Sequence, residues 1–303
     1  MSSGDQVDAR GEAAGGEDNT DALPRHPPQP SGLPASIPTV RESDFVSNVY
    51  KMDRSNLGPV IIFNNKDFHP RTQMGKRDGT DRDADNMNSI FQTMGFQDIQ
   101  QFNNQTASEM RDKLWKASKT MTTASSCFVC VILTHGEEGF VFGTDDKVPI
   151  DDLVLPFKGN HCPALAGKPK IFIIQACRGT ELDSGVEVED SGMEIGTEMD
   201  EEVMIRRIPT EADFLMAYSV VPGYFAWRNS ANGSWFIQAV YDVFRRHWKD
   251  MDLMTMMTRV NKRVAYDFES RAAREFMNRK KQIPCITSML TKDVYFYPQP
   301  KSL

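Results

Sequence analysis

The sequence lacks the features that mark membrane-spanning and secreted proteins. No window approaches the roughly 18 consecutive apolar residues that a transmembrane helix needs, so no membrane contact is predicted. The N-terminal stretch MSSGDQVDARGEAAGG has no basic region followed by an apolar one, and no secretory signal is expected. Five cysteines occur, an odd number without regular spacing. A disulfide framework is therefore not expected, and reduced thiols in the cytoplasm fit best.

Long runs of basic residues are missing too. The formal net charge is −7, which argues against nucleic-acid binding. One CxxC pair, Cys127 and Cys130, raises the alternative of a zinc site. Two residues three apart in a strand point their thiols to opposite faces, however, and no second pair follows. The sequence predicts neither a metal nor a cofactor.

Two segments are too polar to fold by themselves. Residues 1–40 carry six acidic and two basic residues, and the segment is rich in glycine and proline. It buries too little apolar surface to offset the entropy of ordering, so residues 1–44 are predicted to be disordered. Residues 182–204 are acidic, contain Gly and Ser, and show no apolar period. They are interpreted as an exposed linker.

The rest of the chain alternates strand and helix patterns. Apolar strand runs cover 58–65, 127–133, 169–175, 212–220 and 285–290, with a small hairpin at 140–150. Helical spacing is found at 81–96, 106–119, 233–248 and 252–269, and Thr106 with Glu109 fits a capping box. Continuous apolar strands separated by helices predict an α/β fold, with a parallel or mixed sheet covered on both faces.

Two of these strands end in residues with nucleophile and base chemistry. His135 follows the strand at 127–133, and Cys177 follows the strand at 169–175; each has a glycine next to it or close by. If the strands are parallel neighbours, thiol and imidazole meet at one sheet edge, which gives a nucleophile with its base. The N–H groups of Gly136 and Cys177 would then be donors for an oxyanion. A single Cys or His at a strand end is usually structural, but their joint occurrence favours catalysis.

Several motifs resemble one protease family. The stretch QACRG ends at Gly179, and His135 lies 42 residues before Cys177. THGEEGFVFGT, GKPKIFIIQACRGTELD, PGYFAWRNSANGSWFIQ and KKQIPCITSMLTKDVYFYP follow in the same order as in the executioner caspases. The resemblance covers about residues 45–298. It implies a doubly wound, mostly parallel six-stranded sheet with helices on both faces, and a cysteine endopeptidase that cleaves after aspartate in apoptosis.

The resemblance also implies roles for individual residues. Cys177 corresponds to the nucleophile and His135 to the general base and acid, with the Gly75 carbonyl as the orienting group. Arg77, Gln175 and Arg228 correspond to the pocket for the aspartate carboxylate, for which a guanidinium fork is well suited. Taken alone, each arginine would be interpreted as surface charge.

Outer pockets are implied in the same way. Phe225 and Trp227, with Tyr224, would form an apolar slot, and Asn229 with Trp235 would hold an acidic residue three positions before the cut. Substrates like Asp-Glu-Val-Asp are therefore expected, although Trp235 could equally be core. Two features depart from the family pattern: Ala226 replaces a serine, and residues 271–273 read Arg-Ala-Ala.

The implied organisation is that of a zymogen. Residues 1–44 would be the prodomain, 45–190 the large subunit, 191–206 a cleavable linker and 207–303 the small subunit. Asp190 is the first candidate for activating cleavage; Asp200 and, in the prodomain, Asp21 are further candidates. A prodomain this short would not hold a death-fold domain, which favours an executioner.

Partners follow from the resemblance. Protein substrates with exposed aspartate sites and an upstream initiator caspase are expected, and inhibitor-of-apoptosis proteins are candidates. A homodimer of large and small subunit pairs would form through the strand at 285–290. The alternative is a catalytically silent homologue that regulates a partner, and the presence of Cys177, His135, Arg77 and Arg228 argues against it.

Overall fold

A computed structural model describes residues 47–179, 181–184, 210–270 and 275–297 of the chain. Its strands, in chain order, are β1 Val60–Asn64, β2 Ile99–Asn103, β3 Phe128–Leu133, β4 Gly136–Glu137, β5 Phe140–Phe142, β6 Lys147–Pro149, β7 Lys170–Gln175, β8 Phe214–Tyr218, β9 Arg228–Asn229, β10 Gly233–Ser234 and β11 Cys285–Ser288. The helices are α1 Thr80–Met94, α2 Ala107–Thr120, α3 Ile150–Val154, α4 Trp235–His247 and α5 Leu253–Asp267.

Six of the strands form one sheet in the order β11-β8-β7-β3-β1-β2. All neighbours are parallel except β11, which runs antiparallel to β8 at one edge. Every residue of β1, β3 and β7 is buried, because helices cover both faces of the sheet. The predicted fold class is confirmed. Two small sheets, β4-β5-β6 and β9-β10, lie outside the main one.

The two faces of the sheet bury separate apolar cores. Helices α1, α4 and α5 pack on one face, and α2 and α3 on the other. Cys127 belongs to the first core and Cys130 to the second, so the two thiols lie on opposite faces as expected. Among the described residues, no three His, Cys, Asp or Glu side chains are grouped to hold a metal ion. Within the same part of the chain, no helix is long and apolar enough to cross a membrane.

Helix ends follow local sequence signals. Thr106 accepts a hydrogen bond from the Glu109 N–H while the Glu109 carboxylate accepts one from the Thr106 N–H, which is the predicted capping box. Gly95 ends α1 with φ of 98°, a left-handed conformation that favours glycine. Ser234 caps α4 through the Ile237 N–H. These caps fix where the connecting loops leave the helices.

The edge strand β2 was not predicted. Its sequence, IQQFN, is mostly polar, and its side chains are exposed or half-buried. An edge strand needs a buried face only on one side, so the continuous apolar run that reveals β1 is absent here. The register pairs Ile99 with Val60 and Asn103 with Asn64.

Several predictions concern residues outside the described ranges. They are the disordered segment 1–44 with Asp21, the linker 191–206 with Asp190 and Asp200, and the Arg-Ala-Ala stretch at 271–273.

A glycine pair tests the packing beneath β1. Gly58 has φ of 103°, and a Cβ there would lie 2.0 Å from the Cys127 carbonyl oxygen. Gly139 has φ of 77°, but a Cβ there meets nothing within 4 Å. We expect Gly58→Ala to lower the free energy of unfolding by about 3 kcal/mol or more, and Gly139→Ala by the backbone term alone, about 1–2 kcal/mol.

The measurement is the thermal midpoint followed by circular dichroism, in which the two variants should differ by several degrees. Equal midpoints would mean that the backbone near Gly58 relaxes freely, against the close packing inferred here.

Candidate active site

The sheet brings the two predicted catalytic loops together. Strands β3 and β7 are parallel neighbours, and the Thr134 N–H donates to the Gln175 carbonyl at 3.1 Å, just before His135 and Cys177. A Cβ at Gly136 would lie 2.7 Å from the Cys177 carbonyl oxygen and 2.8 Å from the Ala176 Cβ. The loops are therefore in contact, and only glycine fits at position 136.

The imidazole of His135 is held from one side. Its Nε2 lies 2.7 Å from the Gly75 carbonyl oxygen, and the ring packs on Phe68 with centroids 4.8 Å apart. A carbonyl only accepts, so Nε2 carries the hydrogen and Nδ1 keeps the free lone pair. Burial lowers the pKa of His135 to about 4, helped by the charges of Arg77 and Arg228 and opposed by the Gly75 hydrogen bond. The ring is neutral at pH 7.

The thiol of Cys177 is also neutral. Its Sγ lies 4.0 Å from the Ala226 carbonyl oxygen, and the side chain is partly exposed. Burial raises the pKa of Cys177, while the Ala226 contact and the charges of Arg77 and Arg228 oppose the rise. The Cys177 thiol and the His135 imidazole are therefore both neutral at pH 7.

The Gly136 N–H is oriented by a small antiparallel ladder. The Phe142 N–H donates to the His135 carbonyl at 2.9 Å, and Gly136 is paired with Val141. Hydrogen-bonded and non-bonded pairs alternate along such a ladder, so the Gly136 N–H points away from β5. It remains a donor for a group at the Cys177 side.

Arg77 places a charge inside the protein. Its side chain is 0% exposed, and its Nη1 donates to the Asn65 carbonyl at 3.0 Å and to Thr80 Oγ1 at 2.6 Å. Its Nε and Nη2 have no hydrogen-bond partner among the described residues, and neither does Oε1 of the buried Gln175. A guanidinium with two unused nitrogens is suited to an oxyanion ligand.

Arg228 approaches from the second half of the chain. Its Nε donates to the Asp78 carbonyl at 2.8 Å, next to Arg77 in sequence. Gly79 allows this approach, since a Cβ there would lie 2.4 Å from the Asn229 carbonyl oxygen. Burial and the charge of Arg228 lower the pKa of Arg77 to about 9, so both arginines stay charged at neutral pH and repel each other.

A carboxylate beneath these arginines was missed by the sequence reasoning. Asp83 in the first turn of α1 is 0% exposed, and its Oδ1 accepts from the Ser234 N–H at 2.8 Å. Burial raises the pKa of Asp83 to about 6, against the opposing charges of Arg77 and Arg228. An acidic residue in a first helical turn is common, so no sequence signal marks Asp83.

Comparison with known proteins shows which family the chain belongs to. Residues 58–295 match the caspase domain model. The chain belongs to the caspase family. Caspase-3 of Bos taurus is 48% identical over 247 residues, covering 82% of this chain and 87% of that protein. Caspase-7 of Gallus gallus is 44% identical over 247 residues, covering 82% and 79%.

A solved structure shares the fold. The crystal structure of Caspase-1 from Spodoptera frugiperda has a TM-score of 0.77 and 37% identity, covering 89% of this chain and all of that one. The chain is thus an executioner-type caspase, a cysteine-type endopeptidase that cleaves after aspartate and acts in apoptosis. The alternative of a silent homologue is not supported. Caspases as a family act on protein substrates and assemble as dimers.

Aromatic rings line residues 224–229 of this caspase, the segment that carries Arg228 and is called the pocket loop here. Phe225 meets Trp227 edge-on at 5.6 Å, Trp227 stacks on Trp235 at 5.6 Å, and Trp235 stacks on Phe268 at 5.4 Å. Trp235 is only 8% exposed, so it contributes to the core as well as to this column. Phe268 was not predicted, because it lies outside the quoted motifs. Phe225 is the most exposed of the four predicted rings, which include Tyr224.

Asn229 has a local task in the same loop. Its Oδ1 accepts from the N–H groups of Ala231 and Asn232, both at 2.9 Å. The side-chain oxygen therefore stabilises the turn between β9 and β10, and the amide nitrogen is the group left for a ligand.

The arginine of the QACRG motif has a structural role. Arg178 Nη2 lies 2.6 Å from Glu138 Oε1, and its guanidinium lies over the Tyr218 ring at 4.1 Å. Its backbone exchanges hydrogen bonds with Gly223 and Tyr224. Arg178 thus joins the loops that carry His135 and Cys177 to the pocket loop.

The pH dependence of Cys177 alkylation tests whether Cys177 and His135 are both neutral. Because the pKa of Cys177 is raised above its ordinary value of about 8.5, its thiolate fraction at pH 7 is small. We expect the rate of Cys177 alkylation by iodoacetamide to rise about tenfold per pH unit from pH 6 to 8.

Alkylation is followed by mass spectrometry, with Cys177→Ala reporting any reaction at the other cysteines. A rate that stays level between pH 5 and pH 7 would indicate a preformed thiolate and imidazolium, in conflict with the burial described.

Proposed function

We propose that Cys177 is the nucleophile of this caspase and His135 its general base and acid. The observation that supports this most is the geometry of His135: its Nε2 is anchored to the Gly75 carbonyl, and the next residue, Gly136, packs against the backbone of Cys177. Nδ1 is then the atom that takes the thiol proton as Sγ attacks the scissile carbonyl. The N–H groups of Gly136 and Cys177 would donate to the oxyanion that forms.

The later steps return the site to its starting state. The protonated His135 gives its proton to the leaving amine as the C–N bond breaks, and a thioester remains on Cys177. Water attacks the thioester while His135 accepts its proton. That proton returns to Sγ as the carboxylic product leaves.

The specificity pocket consists of Arg77, Gln175 and Arg228. The two unused nitrogens of Arg77, the fixed position of Arg228 and the net positive charge support binding of one carboxylate. With Asp83 ionised, these groups carry a net charge of about +1, which a substrate aspartate neutralises. An asparagine of the same shape would leave this net positive charge uncompensated.

Outer pockets extend along the aromatic column. Phe225 and Trp227, beside Tyr224, are the apolar slot for the residue next to aspartate. Asn229, with its free amide nitrogen, and Trp235 are the groups for an acidic residue three positions before the cut. Substrates like Asp-Glu-Val-Asp follow from this arrangement.

Activation proceeds by cleavage at Asp190, which separates the large subunit, 45–190, from the small subunit, 207–303. Asp200 in the linker 191–206 and Asp21 in the prodomain 1–44 are further cleavage sites. Supporting this, Glu181, which lies ten residues before the linker, exchanges backbone hydrogen bonds with Gly223 and Phe225. Tension from an uncut linker would act directly on the pocket loop.

Assembly and cellular setting complete the proposal. The outer edge of β11 pairs two copies of this caspase, because β8 occupies only one side of that strand. An initiator caspase performs the activating cut in the cytoplasm, and inhibitor-of-apoptosis proteins are candidate regulators.

Matched substrates test the nucleophile and the pocket together. We expect cleavage of a fluorogenic Asp-Glu-Val-Asp peptide, and a loss of about 10⁴-fold in kcat/KM when the last residue is Asn, because the pocket then lacks its charged partner. Cys177→Ala should abolish cleavage. Cys130→Ala, which alters a buried thiol within β3, is the control and should stay active.

The two parts fail separately in this experiment. Equal cleavage after Asp and Asn would count against the arginine pocket alone. If Cys177→Ala cleaved the Asp peptide as fast as wild type, Cys177 would not be the nucleophile.

The activation step is tested by blocking the cut. We expect Asp190→Ala/Asp200→Ala protein treated with an initiator caspase to remain mostly one chain, because both proposed linker sites are lost. It should show at least about tenfold lower kcat/KM than cut wild type, since the intact linker still constrains the pocket loop. Gel electrophoresis gives the extent of cleavage and the peptide assay gives kcat/KM. The single variant Asp200→Ala, which keeps the cut at Asp190, is the matched control; if the uncut double variant matched cut wild type, linker control of the pocket would be refuted.

A further inference from the structure

Two buried polar residues have no part in the chemistry proposed above. Ser219 at the end of β8 is 0% exposed, and Gln282 before β11 is 1% exposed. Buried polar side chains need hydrogen-bond partners, and the partners of these two are informative. Both connect backbone groups that neighbour the active-site residues.

Ser219 forms hydrogen bonds with Ala176, the residue before the proposed nucleophile. Its Oγ donates to the Ala176 carbonyl at 2.8 Å and accepts from the Ala176 N–H at 3.3 Å. One hydroxyl thus engages both polar backbone groups of Ala176. The Ser219 N–H also donates to the Ile174 carbonyl at 2.9 Å, which fixes Ser219 against β7.

Gln282 continues the connection to the pocket loop. Its Nε2 donates to the Ser219 carbonyl at 2.6 Å, and its Oε1 accepts from the Trp227 N–H at 2.7 Å. Trp227 directly precedes Arg228. An unbroken hydrogen-bonded chain therefore runs from Ala176 through Ser219 and Gln282 to Trp227.

We propose that Ser219 and Gln282 are positioning residues that set the separation between the sulfur of Cys177 and the guanidinium of Arg228. The inference rests on the proposed roles of Cys177 and Arg228. The two residues touch neither substrate nor reacting atoms; they act through the backbone of Ala176 and Trp227.

The residue types suit this task. The amide of Gln282 is donor and acceptor at opposite ends of one rigid plane, so it bridges a carbonyl and an N–H at a fixed spacing. Hydrophobic packing alone has no such directionality. Removing the amide would leave the Ser219 carbonyl and the Trp227 N–H buried without partners, which drives the loop to rearrange.

The separation has a direct consequence for selectivity. The side chain of aspartate has one methylene fewer than that of glutamate, so it spans a shorter distance between the arginines of the specificity pocket and the scissile carbonyl. If the arginines of the specificity pocket are held at a fixed distance from the sulfur of Cys177, aspartate places its scissile carbonyl correctly and the longer glutamate misplaces it. Misplacement of reacting atoms by about 1 Å costs roughly 10²-fold in rate.

The test compares Asp and Glu as the last residue of otherwise identical fluorogenic tetrapeptides, with rates expressed per titrated active site. We expect Gln282→Met, which keeps the volume and loses both hydrogen bonds, to lower the Asp-to-Glu ratio of kcat/KM at least about tenfold. The loss should fall mainly on kcat for the Asp peptide. Iodoacetamide alkylation of Cys177 at pH 7.5, which does not use the two arginines, should change less than about threefold.

Ser219→Ala is the second variant and should change the ratio in the same direction. The double variant should lower the ratio no further than Gln282→Met alone, because both residues belong to one chain of contacts. Ser118→Ala is the matched control. Ser118 is a buried serine in α2 whose hydroxyl donates to the Trp115 carbonyl away from this chain, and its loss should leave the ratio unchanged.

The outcomes separate this inference from the proposed function. If wild type shows no Cys177-dependent cleavage after Asp, the proposed function is wrong. If wild type does cleave, and Gln282→Met or Ser219→Ala keeps its Asp-to-Glu ratio within about twofold of wild type per active site, the positioning role is refuted. If the alkylation rate of Cys177 fell by the same factor as kcat/KM, the substitutions would act on the sulfur alone. That result would likewise refute the claim that Ser219 and Gln282 set its separation from Arg228.

Discussion

The buried charge of Arg77 is the constraint around which the active end of the sheet is organised. A guanidinium removed from water is unfavourable unless nearby groups compensate it. The Asn65 carbonyl and Thr80 Oγ1 accept its hydrogen bonds, and Asp83 supplies opposite charge from below. Arg228 then adds repulsion. The site is left with an excess of positive charge and unused donors, which in the proposed function the carboxylate of a substrate aspartate compensates.

That arrangement depends on both halves of the chain. Arg77, His135 and Cys177 lie within residues 47–179, and Arg228 lies within residues 210–270. Strands β7 and β8 join these two parts by parallel pairing in the middle of the sheet, so the two arginines meet only when the sheet is complete. The chain of contacts through Gln282 then links the two loops from below. The proposed specificity pocket thus depends on the whole sheet.

Sequence reasoning found the residues that short motifs or strand ends mark. His135 and Cys177 follow apolar strands, and their meeting needed only the rule for parallel sheets. Gly75 required the family resemblance, since a single carbonyl has no sequence signature. Asp83 and Gln282 were missed because their partners are distant in sequence; Gln282 contacts residues 55 and 63 positions away. Polarity alone does not show that such a side chain is buried.

Arg77 and Arg228 have little effect on proton transfer between Cys177 and His135. Arg77 and Arg228 lower the pKa of both Cys177 and His135. Transfer of the proton from sulfur to imidazole leaves the total charge of the pair unchanged, so the two effects largely cancel for that step. Filling the pocket with a carboxylate therefore alters the proton transfer little. In the proposed mechanism, the energy of carboxylate binding goes into holding the scissile carbonyl at Sγ, which makes the spacing between the two arginines and the sulfur the quantity that governs the rate.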